Sequence, residues 1–465
     1  MSLPTQILND LLDEVQPINF SLLAGLEKSQ KLQTKHYSVI CIETVLNIAL
    51  KNDWGLCKNN GSFYLFNGKY WQQIDKKELQ TFLGKAAEKM GVNAFDARYH
   101  AFKEDLYKQF VSASIMPKQT TLRDLTLVNL QNGTFEIGSD EQVLRSFNQI
   151  DFLKHQLSFE YEPNAKAPMF ESYLNTVLPD KDAQAILAEY LGYVFIQPST
   201  LKLEKALLLY GSGANGKSVF FDIVNGLLGD ENISCFSLHK VTTSDYTRAK
   251  LSGKLLNYSS EISGNMDTAV FKQLISGEPT EARSPYGEPF TLTDYAKFIF
   301  NCNELPKDVE HNNAYFRRFI IIPFNITIPP EQQDKKLAEK IIKAELSGVY
   351  NWVLEGLKRV LNKSGFTDCQ LISKIVEQYK EEANVAKLFL DHNDYWPSEN
   401  QKLPLPDIYQ EYRLYCKDNG YSSLNNINFK RRLENMGIAV TRANAGYKAF
   451  LQRGEPLPPP EPTLF

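Results

Sequence analysis

Residues 206–223 read Ala-Leu-Leu-Leu-Tyr-Gly-Ser-Gly-Ala-Asn-Gly-Lys-Ser-Val-Phe-Phe-Asp-Ile. Within them, Gly211, Ser212, Gly213, Ala214, Asn215, Gly216, Lys217 and Ser218 fit the pattern G-x-x-x-x-G-K-[ST]. No other stretch constrains the fold as strongly, because each position has a mechanical role. The apolar run Ala206–Tyr210 predicts a buried strand that aims the loop. The three glycines let backbone N–H groups turn inward around phosphate oxygens. Lys217 is placed to reach the outer phosphates of a nucleotide, and the Ser218 hydroxyl to sit on Mg²⁺. Apolar residues from Val219 onward recur at helical spacing, so the loop should open a helix whose N-terminal dipole favours an anion. At background usage the four fixed positions coincide in roughly one chain of this length in fifty. The flanking strand and helix raise the specificity further, and the stretch predicts a nucleoside triphosphatase using ATP and Mg²⁺. A glycine-rich turn between two core elements is the plainer alternative.

The rest of the composition narrows the class. The chain has 465 residues, 43% hydrophobic and 23% charged, enough for two to four domains. Its net charge of −4 excludes a global basic field, so any nucleic-acid site must be local. The six cysteines form no C-x-x-C, which argues against a zinc ribbon. The N-terminus carries no basic, apolar leader pattern, and no apolar run reaches membrane-spanning length. The expected location is cytoplasmic, with no membrane partner.

Chemistry beyond the loop comes from three later segments. A triphosphatase of this kind needs a second strand carrying a carboxylate for Mg²⁺ and the attacking water. Lys254-Leu-Leu-Asn-Tyr-Ser-Ser-Glu261 supplies one, with Glu261 the candidate general base and, beside Ser218, a candidate metal contact. Many ATPases have Asp-Glu where this chain has Ser260-Glu261, so Ser218 and bridging waters are expected to carry more of the metal. Ala296–Pro306 predicts a third strand ending in amides. Asn303, with Asn301 second, can orient a water without titrating. Arg317 and Arg318 then precede the apolar run Phe319–Phe324. A guanidinium there can reach a neighbouring subunit and stabilise transition-state charge, or simply snorkel at the surface.

Toward the C-terminus the local charge reverses. Between Ser422 and Phe450 there are five Lys/Arg against one Glu. A helix over 428–436 carries Lys430, Arg431 and Arg432 opposite Phe429 and Leu433, and a hairpin around Asn444-Ala-Gly446 carries Arg442 and Lys448. This helix–helix–hairpin order looks like a winged helix with a DNA-facing helix and wing. The tail from Arg453 to Phe465 has five prolines in thirteen residues and should be extended. Asn67-Gly68 and Asn132-Gly133 each predict a hairpin turn nearer the N-terminus.

The order of parts resembles superfamily 3 DNA helicases of the phage, plasmid and poxvirus primase-helicase type, from about residue 46 to the C-terminal domain. Tyr161-Glu-Pro-Asn-Ala165 and Leu191-Gly-Tyr193 resemble the family's helicase-associated domain. Phe271–Arg283 resembles the segment leading to the pore hairpin. Asn303 matches the sensor asparagine. Spacing to the following strand, compared with papillomavirus-type ring helicases, favours Arg318 over Arg317 as the arginine finger. The resemblance implies an α/β P-loop ATPase core of AAA+-like form, with an α+β N-terminal domain and a small C-terminal winged helix. The expected divisions are a helical segment 1–45, a helicase-associated domain 46–195, the ATPase core 196–330, a helical lid or linker 331–383, the winged helix 384–452 and the tail 453–465. It also implies a homo-hexamer, 3′→5′ movement on single-stranded DNA, and DNA contacts at Lys272, Arg283 and Tyr286 in the channel. The end of the chain resembles peptides that dock in bacterial sliding clamps through residues such as Leu464 and Phe465. Residues 1–160 hold no carboxylate cluster for primer synthesis, and Asp180 and Asp182 lie in the helical region before the loop. Two other functions fit the residues: an ATP-regulated replication initiator or loader without processive unwinding, and a small-molecule kinase or GTPase. The latter lacks an Asn-Lys-x-Asp signature and leaves the arginine pair and C-terminal domain unexplained.

Overall fold

The computed structural model describes residues 3–27, 30–59, 62–114, 125–138, 142–260, 262, 266–284, 288–306, 312–444 and 446–454. Five strands make a parallel sheet at its centre: β1 (Ala206–Tyr210), β2 (Ile233–Ser234), β3 (Leu256–Ser259), β4 (Lys297–Cys302) and β5 (Phe319–Pro323). Their spatial order is β5-β1-β4-β3-β2. The strands are apolar almost throughout because both faces of the sheet are covered, as parallel sheets require. The first strand matches its predicted span. The other two predicted strands are shorter than expected, with Ser260 and Asn303-Glu304 in bends past the strand ends.

Since all five strands run the same way, the sheet has two chemically distinct edges. The loop after β1, the residues after β3 and the residues after β4 share the C-terminal edge. Arg317 and Arg318 enter β5 at the opposite edge, where Phe319 lies beside Ala206. Four to five residues of strand, roughly 15 Å, separate that arginine pair from this chain's own loop.

The hydrophobic core around the sheet ignores two expected boundaries. One continuous cluster runs from Val128 to Ile372, so the divisions at 195/196 and 330/331 cut through a single packed body. The segment expected to be a helical lid or linker packs against the helix that precedes the sheet. Helix Leu346–Lys363 lies on helix Lys181–Tyr193 so closely that a Cβ on Gly356 would stand 2.3 Å from the Ala188 carbonyl carbon. Two acids lock this layer. Glu189, fully buried, accepts from Arg359 Nε at 2.9 Å and from the Thr367 backbone at 2.7 Å. Glu345 accepts from the backbone N–H groups of Met169 and Phe170, both at 3.0 Å, and so caps helix Pro168–Val177 from a distant part of the chain.

The N-terminal part has its own core, drawn from helices between Leu3 and Ala113 and the antiparallel sheet Leu56–Asn59, Ser62–Phe66 and Trp71–Ile74. The expected boundary at 45/46 falls inside it, because Ile7, Leu8 and Leu11 pack with Leu79 and Phe110. Both Asn-Gly turns are offset from prediction. Phe66 pairs with Trp71, leaving a four-residue loop in which Asn67 Oδ1 accepts from Lys69 and Tyr70 N–H. Leu130 pairs with Gly133, so the second turn is Gln131-Asn132. At the C-terminus, helices Val385–His392, Leu405–Asp418 and Asn426–Asn435 pack with the small sheets Tyr395–Pro397/Leu451–Arg453 and Leu403–Pro404/Gly446–Ala449/Val440–Ala443 around a separate core.

Candidate functional site

The loop Gly211–Ser218 is braced from three sides. Asn215 Nδ2 donates to the Phe324 carbonyl at 2.7 Å, Ile328 N–H donates to the Ala214 carbonyl at 2.8 Å, and the Tyr173 hydroxyl donates to the Gly216 carbonyl at 2.8 Å. Gly211 is the close-approach position: a Cβ there would lie 2.2 Å from Asn215 Nδ2 and 2.3 Å from the Phe324 oxygen. Gly213 at φ +111° and Gly216 at φ +88° take the left-handed turns that swing the following N–H groups inward, and Ala214 joins them at φ +49°. Helix Lys217–Leu228 starts directly after Gly216.

Lys217 is buried, and its ammonium donates to Gly211 O at 2.5 Å, Asn215 Oδ1 at 3.2 Å and Asn303 Oδ1 at 3.5 Å. These acceptors are neutral, so the positive charge at the loop is not cancelled by them. Burial lowers the lysine's pKa below its ordinary value, which makes an incoming anion the natural counterpart. Ser212, Ala214 and Ser218 are exposed at the mouth. A loop turned by left-handed glycines, an ammonium bonded to neutral oxygens and an exposed hydroxyl would suit a triphosphate with its Mg²⁺.

The two asparagines of the third strand part company here. Asn303 is exposed and meets Lys217, whereas Asn301 is buried and accepts from the Tyr258 hydroxyl at 3.0 Å. Ser260 follows β3 at the same edge and is exposed. Glu261 lies outside the described residues. Among the described residues no group of three or more His, Cys, Asp and Glu side chains is placed to hold a metal ion. Asp180 serves as a helix cap, accepting from Ala183 N–H at 2.8 Å.

A cavity of about 470 Å³ opens beside the loop, lined by Met169, Tyr173, Val177, Ile328 and Leu337 among others. Tyr173 and Val177 are also the side chains that back Gly216. Sequence reasoning missed these neighbours, because nothing in residues 168–177 or at Ile328 signals contact with a loop some forty or a hundred residues away.

At the other edge the arginines differ sharply. The Arg317 side chain is 56% exposed and donates to Glu204 Oε2 at 2.5 Å. The Arg318 side chain is only 9% exposed. It donates to Ser276 Oγ at 3.0 Å and to the Ala314 carbonyl, and stands 3.7 Å from Glu204. Burial and the neighbouring Arg317 both lower its pKa. The expected finger, Arg318, is therefore the inward-facing member of the pair, held by its own subunit, and Arg317 is the outward one.

The nucleic-acid candidates are spread over two regions. A hairpin of Thr280–Arg283 and Pro289–Leu292 projects between β3 and β4. Arg283 is exposed at its outer end, Lys272 is half-buried on helix Thr268–Ile275, and Tyr286 lies outside the described residues. On helix Asn426–Asn435, Phe429 and Leu433 are buried while Arg431 is exposed. Lys430 lies 4.0 Å over the Tyr447 ring and 3.6 Å from Glu434. Arg432 is half-buried, and burial lowers its pKa. Arg442 is exposed on the hairpin and Lys448 half-buried. Leu464 and Phe465 lie outside the described residues. No helix among the described residues is long and apolar enough to cross a membrane.

Two parts of the chain match known families. Residues 41–179 match the family described as D5 N terminal like, and residues 209–318 match a family of unknown function, DUF5906. The Acanthamoeba polyphaga mimivirus protein named "Putative helicase L207/L206" is 21% identical over 356 residues, covering 69% of this chain. The chain spans about a third, 36%, of that relative's length. Among solved structures, an apo form of the NrS-1 C terminal region aligns over 90% of this chain and 100% of its own, at 12% identity and TM-score 0.48. A second apo structure of that region covers 89% and 98% at 13% identity and TM-score 0.46. A D5 N terminal like region thus leads into the matched segment that carries the loop and the arginine pair, an order that supports the superfamily 3 helicase-primase type of phages and viruses.

Proposed function

We propose that the chain is the ATP-driven motor of a replicative DNA helicase of a phage, plasmid or other mobile element. The observation that carries this reading is the meeting of Lys217 and Asn303 at one sheet edge while the arginine pair sits at the other. The loop N–H groups and Lys217 would hold the phosphates, and the apolar cavity beside Tyr173 and Ile328 suits a base. The Ser218 hydroxyl, with Glu261, would hold Mg²⁺, which when bound neutralises charge on the phosphate oxygens. Asn303 orients the attacking water and Glu261 takes its proton. The missing cation is a guanidinium, and this chain's own pair is too far along β5 to supply it. A neighbouring copy can, which supports a ring of six with each site shared between two subunits. The strand order and braced loop support an AAA+-like core.

DNA is the proposed track. The hairpin with Arg283 is suited to a strand in the ring channel, moving 3′→5′ as the family resemblance implies, and the basic face of residues 426–448 to duplex or fork DNA as a winged helix. That separately cored C-terminal part also favours a second reading, an initiator that marks or melts an origin without processive unwinding. Forked-DNA unwinding separates them. Wild-type protein should displace a strand and Lys217→Ala should not. Unwinding by Lys217→Ala overturns the motor, and site-specific binding without strand displacement decides for the initiator.

A further inference from the structure

Arg317 and Arg318 are adjacent in sequence, yet their side chains belong to different environments. Arg317 lies on the surface and pairs with Glu204. Arg318 is nine-tenths buried, bonded to Ser276 and Ala314. Ser276 is itself buried, and it closes helix Thr268–Ile275, its N–H donating to Lys272 O at 3.0 Å. Four residues later the hairpin begins at Thr280. The segment after the return strand is tied to the same hinge: the Tyr295 hydroxyl donates to Glu278 O at 2.8 Å and also stands 3.2 Å from Leu274 O. Arg318 therefore grips the base of the hairpin at the point where helix becomes strand.

We propose that the two arginines have separate roles in one coupled movement. Arg317 leaves Glu204 to engage the neighbouring subunit's triphosphate, while Arg318 stays at home and passes that event through Ser276 to the hairpin. The inference rests on the motor reading above and adds the coupling residue to it. Glu204 is the holding element. It touches both guanidinium groups, at 2.5 and 3.7 Å, from a backbone held at φ +53°, a left-handed conformation that L residues rarely adopt. When Arg317 departs, Glu204 keeps Arg318 as its partner, so the inner arginine is drawn rather than freed. Desolvation of Arg318 strengthens this response, because a buried guanidinium with fixed donors has no solvent to buffer a change of partner. Arg318 is a positioning residue in this scheme and touches no substrate.

Full-length protein on forked DNA tests the division, with ATP turnover and strand displacement read separately. Arg317→Ala should lose about 10³-fold in turnover. A one-to-one mixture of Arg317→Ala and Lys217→Ala, each inactive alone, should recover about a quarter of wild-type turnover, since one interface in four then pairs an intact loop with an intact arginine. Ser276→Ala, a small change that removes the acceptor for Arg318, should keep turnover within about twofold while strand displacement falls at least about tenfold. Arg318→Lys, which keeps the charge and loses the fork, should behave likewise. Turnover lost as deeply in Ser276→Ala or Arg318→Lys as in Arg317→Ala overturns the division, as does unwinding that stays in step with turnover. Turnover surviving in Lys217→Ala would instead remove the motor reading on which it rests.

Discussion

Lys217 and Asn303 lie 86 residues apart in sequence and 3.5 Å apart in space, joined by a hydrogen bond from ammonium to amide oxygen. Lys217 opens the helix that follows the β1 loop, and Asn303 follows β4, the parallel strand beside β1, so their meeting is a product of sheet order. Asn301, one strand repeat earlier, is carried into the core by the same geometry.

That contrast gives a paired prediction. Asn303→Ala should reduce ATP hydrolysis by about 10²- to 10³-fold with the fold intact, as removal of a positioned polar group at a reacting centre does. Asn301→Ala should instead cost about 1–3 kcal/mol of stability, by stranding the buried Tyr258 hydroxyl. Phosphate release and urea unfolding on both variants check the assignment, and a reversed pattern refutes it.

Gly211→Ala pushes a methyl group to within 2.3 Å of the Phe324 oxygen and closer still to Asn215. Either the loop or the strand end must move, at about 1–3 kcal/mol. The variant should melt lower than wild type, and an ATP analogue should no longer raise its melting temperature. A retained nucleotide-dependent shift counts against the loop as the nucleotide site.

His155 makes stability depend on pH. Burial lowers its pKa from 6.5 to about 4, so the folded protein holds it neutral. Between those values the unfolded chain binds the proton and the folded one does not. Stability is therefore full above about pH 6.5 and falls as the pH drops toward 4. The loss between pH 7 and 5 should be about 2 kcal/mol. His155→Gln should remove that slope in urea unfolding, and an unchanged slope would assign it to other groups.

Arg431→Ala and Arg442→Ala, at exposed positions, should each weaken DNA binding and lower the slope of log affinity against log salt by about one. Lys430→Ala should do less, because its ammonium already lies between Glu434 and the Tyr447 ring. Titrations at several salt concentrations distinguish these. Equal slopes in all variants would exclude this face from phosphate contact.

Much of this was legible in one dimension because the signals are local. The strand–loop–helix around Gly211–Ser218 is dictated by an apolar run, glycines and a helical apolar period, all within eighteen residues. The helix Asn426–Asn435 and the apolar strand Phe319–Pro323 follow from patterning of the same kind. The Asn-Gly pairs marked the right turns with the wrong register, since cross-strand pairing and not the dipeptide sets which residues close a loop.

What the chain's own order determined, then, is which chemistry is present: a phosphate loop, a strand tip of amides, an arginine pair and a basic C-terminal face. Only the tertiary structure decided how these combine. The parallel sheet put Lys217 and Asn303 on one edge and the arginines on the other. Packing against Ser276 turned Arg318 inward and left Arg317 facing out, a distinction that spacing along the chain does not carry. Burial and long-range partners are properties of the assembled core, and two adjacent arginines look alike until that core has formed.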